Sequence, residues 1–296
     1  MSQINRRQFM AAGVAAAATA LGSSLPGVAQ AATGRKKFKI SLAAWSLNPL
    51  FGKEWKNIDL PRIVREDLGL DGIEFVNSYF ELPRSGYLKK LKQKCADYDV
   101  TPVLIMVDGE GDMSHPNKTE RRQAVINHRK WIDIADFLGC HAIRANAGYE
   151  KAGTIDDRVE RCAESYSELM EYADECNMEV TIENHGGFSS IPEKLIAVMK
   201  KVNHPRFGTL PDFGNFPPEI DKYDALQKLM PYALAVSAKC YNFDSNGKHD
   251  LYDLDRMLEI VLAAGWDGFV GIEYEGKKNS PYEGVLHCKK LLQKHQ

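Results

Sequence analysis

Three acidic residues stand where apolar runs of the chain end. Glu183 ends Val180-Thr181-Ile182-Glu183, Asp212 follows Leu210-Pro211, and Glu273 follows Val270-Gly271-Ile272. Their separations are 29 and 61 residues, about one and two repeats of a strand–helix unit of roughly 30 residues. Carboxylates brought to one rim repel each other unless a positive charge lies between them. A divalent metal with oxygen ligands (Mn, Mg, Co or Zn) meets that need. One strand-end acid alone reads more plainly as an ion pair or a cap on the next helix. Three at matching positions favour a shared metal site of Glu183, Asp212 and Glu273.

Side chains alternate along a strand, so His185 shares a face with Glu183, Lys239 with Ser237, and Glu275 with Glu273. Lys239 suits neutralisation of an oxyanion or of surplus carboxylate charge; its plainer role is to reach solvent. His185 is either a hydrogen-bonded structural residue or a catalytic one. Earlier strand ends are polar as well. Glu74 ends the second run, Arg144 and Asn146 share a face of the fourth, and Asp108 and Glu110 follow the third. Trp45, near the end of the first run, is a stacking platform or ordinary core. Glu74, Arg144, Asn146 and Trp45 together point to binding of a polar, hydroxyl-rich ligand.

The elements that must position these residues follow from hydrophobic periodicity. Strands are expected at Phe38–Ser46, Gly72–Val76, Thr101–Val107, Ala142–Ala145, Glu179–Glu183, Phe207–Asp212, Ala233–Lys239 and Phe269–Tyr274. Helices are expected at Leu60–Leu68, Tyr87–Asp97, Thr119–Leu138, Ile155–Cys176, Pro192–Val202, Tyr223–Met230, Leu254–Ala264 and Tyr282–Lys294. Thr154 followed by Asp157 reads as a capping box. Gly139 and Gly265 read as helix stops. Val159, Cys162, Tyr166 and Met170 form a core-facing stripe at helical spacing. Eight alternating pairs demand parallel strands, and closure into a single (β/α)8 TIM barrel is the favoured α/β solution. An open dinucleotide-binding sheet is disfavoured, because no G-x-G-x-x-G follows the first strand.

Of the 296 residues, the first 31 read as a removable leader. A polar start with Arg6-Arg7 precedes an alanine-rich apolar run from Phe9 to Leu21, and Ala29-Gln30-Ala31 gives a cleavage site. The segment Asn5-Arg6-Arg7-Gln8-Phe9-Met10 resembles the twin-arginine export motif. The resemblance implies the twin-arginine export machinery as a partner, periplasmic or other exported localisation, and passage across the membrane already folded. A short linker, 32–37, then leads to a barrel domain at 38–296. Removing 31 residues leaves 265, close to the roughly 250 of an eight-fold barrel. With 38 basic against 40 acidic residues the net charge is −2. No basic patch or tail implies nucleic acid, and no stretch is long and apolar enough for a membrane span. The six cysteines contain no C-x-x-C pair and are expected to be buried free thiols.

Ile182-Glu183-Asn184-His185-Gly186-Gly187, Pro211-Asp212-Phe213-Gly214-Asn215-Phe216 and Gly271-Ile272-Glu273-Tyr274-Glu275-Gly276 resemble the xylose-isomerase-like barrels called sugar phosphate isomerases/epimerases. The resemblance covers essentially all of the chain after the leader. It implies a metal held by Glu183, Asp212 and Glu273, with the two glutamates shuttling protons. The family's fourth ligand is a histidine in a His-x-Lys segment; here Ser237-Ala238-Lys239 lacks it, leaving water or His185 to fill the place. The implied reaction is proton abstraction next to a carbonyl of a small carbohydrate, ending in epimerisation, isomerisation or elimination. An exported enzyme is expected to use a non-phosphorylated keto-sugar or glycoside. The alternatives are a lyase or hydrolase of 3-keto-glycosides and a non-catalytic sugar-binding barrel. A relation to endonuclease-four-like phosphodiesterases is disfavoured by scattered histidines and acidic net charge. The resemblance alone points to a homo-oligomer.

Overall fold

The structure is a computed structural model and describes residues 37–81, 83–149 and 151–296. The expected signal peptide, its twin-arginine motif and all but the last residue of the linker lie outside the described residues.

Eight strands form one parallel sheet: β1 Lys39–Ala43, β2 Gly72–Val76, β3 Thr101–Val107, β4 Ala142–Ala145, β5 Glu179–Glu183, β6 Phe207–Leu210, β7 Ser237–Cys240 and β8 Phe269–Tyr274. The order is β6-β5-β4-β3-β2-β1-β8-β7. The ring closes between β6 and β7 through the isolated parallel bridges Thr209↔Ala233 and Asp212↔Ser237. The helices are α1 Leu60–Arg62 (continuing as a π-helical turn Ile63–Asp67), α2 Ser85–Asp97, α3 Lys118–Leu138, α4 Ile155–Glu175, α5 Pro192–Val202, α6 Lys222–Leu229, α7 Leu254–Ala263 and α8 Pro281–Gln293. This is the (β/α)8 barrel expected from the alternation.

Local chemistry sets the helix ends. Thr154 Oγ1 accepts from the Asp157 N–H at 3.1 Å, and the Thr154 N–H donates to Asp157 Oδ2 at 2.8 Å. Such a cap stabilises by about 0.5–2 kcal/mol. Gly139 takes φ 91° to stop α3. The stripe Val159, Cys162, Tyr166 and Met170 is buried.

Three strand readings are corrected. β1 ends at Ala43, and Ala44–Leu50 winds into a 3-10 segment carrying Trp45 over the barrel end. β6 stops at Leu210, where Pro211 has no N–H for the ladder. The seventh run, expected from Ala233, pairs regularly only from Ser237, because Met230–Tyr232 is still a 3-10 turn. The cysteine reading is also corrected. Cys240, facing outward from β7, forms a disulfide with Cys288 on α8. Cys95, Cys140, Cys162 and Cys176 are free.

The outward faces of the strands (Ile40, Leu42, Ile73, Phe75, Val180, Ile182, Ile272) are buried under the helices. Each fully buried apolar side chain of this size contributes about 1.5–3 kcal/mol. That shell supports an interior lined with Ser41, Glu74, Arg144, Thr181, Glu183, Ser237, Lys239 and Glu273, all buried. Gly271 is required there, since a Cβ at this position would lie 2.2 Å from Glu74 Oε1.

Candidate functional site

The polar interior opens at the C-terminal ends of the strands into a cavity of about 590 Å³, the usual place for a barrel's chemistry. Its floor holds Glu183 from β5, Asp212 just after β6 and Glu273 from β8. One carboxylate oxygen from each lies within 4.8 Å of the others, and all three residues are buried. The Asp212↔Ser237 bridge brings the Ser237 hydroxyl into the same basin. It donates to Asp212 Oδ2 at 2.7 Å, with Glu273 Oε2 at 3.3 Å. Asp212 is oriented from two sides. Its Oδ1 accepts the N–H groups of Gly214 and Asn215 at 2.8 and 2.9 Å. Its backbone N–H and C=O are both bonded by the Asn184 amide.

Two buried cations face this floor. Arg144 Nε lies 3.0 Å from Glu183 Oε2, and Nη1 lies 2.7 Å from Asp108 Oδ1. Lys239 Nζ lies 3.4 Å from Glu273 Oε1 and 3.5 Å from Glu275 Oε1. Asn215 links the two halves, donating to Glu183 Oε1 at 2.9 Å and accepting from Lys239 Nζ at 3.1 Å.

Burial raises the pKa of Glu183 to about 7 despite Arg144, with Glu273 adding to the rise. Burial likewise raises Asp212 to about 7, against the pull of Lys239. Desolvation disfavours the charged form of Lys239 and of Arg144. In both, the surrounding carboxylates outweigh it and the pKa rises, so both stay cationic. Asp108 is lowered overall, because Arg144 more than offsets its desolvation. His185 is lowered by burial and by Arg144 and Lys239, which favours the neutral imidazole.

The donor set fits a hard divalent cation. Three converging buried carboxylates and a hydroxyl are all oxygen, and burial raises two of the acids despite the neighbouring Arg144 and Lys239. His185 is outside this cluster. Its Nδ1 instead faces the Tyr149 hydroxyl at 3.1 Å.

Of the residues singled out from sequence, Trp45, Arg144, His185, Lys239 and Glu273 line the cavity. Glu183 and Asp212 lie in the floor beneath Arg144 and Asn215. Glu74 lies deeper, away from the lining. It accepts from Ser41 Oγ at 2.6 Å, its Oε2 has no hydrogen-bond partner among the described residues, and burial raises its pKa to about 8. Asn146 is behind the wall, donating to Asp108 Oδ1 at 2.9 Å. The lining also includes Asp108 and Glu275, noted from sequence as polar strand-end residues, and Tyr149 and Asn215, which were not singled out. For Asn215 the available signal was its place three residues past Asp212; for Tyr149 it was a Gly-aromatic pair after β4.

The sequence profile described as Xylose isomerase-like TIM barrel matches residues 64–291. No curated protein matches the chain in sequence. Among solved structures, a D-tagatose 3-epimerase-like protein superposes with a TM-score of 0.70 at 18% identity, covering 87% of this chain and 97% of that one. The 3-keto-D-glucoside 4-epimerase from E. coli, in its apo form, gives 0.72 at 13% identity, covering 88% and 100%. A xylose isomerase-like TIM barrel protein from Mycobacterium smegmatis, in complex with magnesium, gives 0.64 at 17% identity, covering 88% and 97%. At these identities the likeness is one of fold. The profile spans most of the chain, and the protein belongs to the xylose isomerase-like TIM barrel family.

Proposed function

We propose that the protein is a divalent-metal-dependent sugar isomerase or epimerase. It acts on a non-phosphorylated keto-sugar or glycoside by moving a proton next to a carbonyl. The observation that carries this reading is the buried Glu183–Asp212–Glu273 basin at the floor of an open cavity. The epimerases among the structural neighbours support it.

Glu183, Asp212 and Glu273 would hold the metal, with Ser237 at the fourth corner. The all-oxygen set suits Mg²⁺ or Mn²⁺ better than Co²⁺ or Zn²⁺. When bound, the cation would polarise the carbonyl and carry enediolate charge. Glu273 is the basin carboxylate that faces the cavity, and is the group that takes the α-proton. Glu183, the second glutamate of the basin, is the group placed to return one. Lys239 and Arg144 stabilise negative charge developing on substrate oxygens without moving.

The lining supports a neutral substrate. Lys239 and Arg144 are the cations among the described lining residues, and each is held by two carboxylates. A phosphate dianion would meet acids without a spare cation. The leader, read as a twin-arginine signal, supports the same substrate class in an exported compartment.

The test is deuterium exchange. Chelator-stripped protein is reloaded with Mg²⁺ or Mn²⁺ and incubated in heavy water with a neutral keto-hexose, a 3-keto-glucoside or a keto-hexose phosphate. Metal-dependent exchange of the α-proton in either neutral sugar is expected. Turnover of the phosphate alone would overturn the substrate class. Absence of both bound metal and exchange would leave a sugar-binding barrel.

A further inference from the structure

We propose that Tyr149 forms an outer subsite for the non-reacting ring of a glycoside, so that the preferred substrate carries a second ring. This rests on the reading of the cavity as a keto-sugar site. Tyr149 lines the cavity although it is 65% exposed. An exposed side chain ordinarily keeps its rotamer freedom, whereas this one is held at three points. Its backbone N–H donates to Asp112 Oδ2 at 2.8 Å. Its hydroxyl lies 3.1 Å from His185 Nδ1 and 3.4 Å from Asn146 Nδ2.

The loop is shaped to allow the first contact. Gly148 has φ 108°, and a Cβ there would lie 1.7 Å from Asp112 Oδ1. A larger residue would push Asp112 off the Tyr149 amide.

A second aromatic is fixed three strands away around the rim. Trp45 donates Nε1–H to Glu275 Oε1 at 2.9 Å and stacks on Tyr79 with centroids 6.3 Å apart. Glu275 is also the Lys239 partner, so Trp45 belongs to the reacting end. Tyr149 is left facing solvent above His185. Fixed aromatic faces bind apolar sugar faces with little ordering cost. The cavity is mid-range for sites enclosing drug-sized ligands of about 300–1,000 Å³, and a single hexose is smaller than such ligands.

The experiment compares binding of a 3-keto-monosaccharide and the 3-keto derivative of a disaccharide by calorimetry, on metal-loaded protein. The wild type is expected to prefer the disaccharide. Tyr149→Ala should narrow the affinity ratio by about threefold to tenfold. Tyr149→Phe keeps the ring and should hold the ratio near wild type. Gly148→Ala leaves the tyrosine but removes its anchor and should behave like Tyr149→Ala. An unchanged ratio in Tyr149→Ala, or the same loss in Tyr149→Phe, would overturn the subsite. Deuterium exchange separates the two readings. A ratio that depends on Tyr149 without exchange in the wild type would sink the reaction and keep the subsite. Exchange with a Tyr149-independent ratio would do the reverse.

Discussion

At the floor of the cavity Glu183, Asp212, Glu273, Arg144 and Lys239 are all 6% exposed or less, whereas at the mouth Tyr149 is 65% exposed. The floor residues come from strands or, for Asp212, from the second residue beyond one. The mouth residues come from the loops after β1 and β4. The floor is a buried set of charges, each tied to at least one opposite charge or hydroxyl. The mouth is a set of aromatic faces placed by a few hydrogen bonds and a ring contact. The difference separates two jobs. Proton transfer needs groups that cannot move and are poorly solvated. Selection of a substrate needs surfaces that water can leave. A change at the floor should therefore strike turnover or folding, and a change at the mouth should strike affinity.

The sharpest challenge to that division is Glu273→Gln, which keeps the shape and removes the carboxylate proposed as the base. Loss of a general base costs about 10²- to 10⁴-fold, so kcat for exchange should fall by that much. A loss confined to KM would place Glu273 with the mouth. Arg144→Met comes next. It leaves Glu183 and Asp108 without their buried partner, and breaking one side of a buried pair costs about 3–5 kcal/mol. Urea denaturation should show that loss; a fall in unfolding free energy below about 1 kcal/mol would mean that the floor is not held by this cation.

Glu74 gives a test in pH. Its pKa rises to about 8 on burial, so between the ordinary carboxylate range and pH 8 the folded state binds more protons than the unfolded chain. Stability contributed by this group is then present at acid pH and lost as pH rises toward 8. Glu74→Gln stays neutral throughout. The Tm difference, variant minus wild type, should grow from pH 5 to pH 8, and a flat difference would contradict a neutral buried acid. The smallest effect is expected at the mouth. Trp45→Ala should raise KM about threefold to tenfold, the scale of one aromatic contact, with kcat nearly unchanged.

The same division explains what could be read from the sequence. Glu183, Asp212, Glu273 and Lys239 were legible because a charged residue ending an apolar run has one place to go in a parallel barrel. Thr154 and Gly139 were legible because capping is local. The end of β6 was misplaced by two residues although Pro211 marked it. The start of β7 depended on a 3-10 turn that periodicity does not encode. Glu74 was expected at the substrate, but it lies deeper, where Gly271 on another strand makes room for its carboxyl. Tyr149 was missed because its position is set by Asp112, on the loop after β3. The Cys240–Cys288 disulfide joins a strand and a helix 48 residues apart, which cysteine spacing alone does not reveal.

The seam between β6 and β7 couples assembly to competence. One of the two bridges that close the ring, Asp212 against Ser237, is also the contact that completes the basin. A chain whose seam is still open has its carboxylates on separate walls and no basin to fill. Forms with an open seam are therefore expected to show no activity rather than weak activity. In refolding, recovery of metal binding and of the β6–β7 amide protection should follow one rate; metal binding that recovers first would uncouple them. A protein built this way is guarded against premature chemistry by the geometry of its own closure.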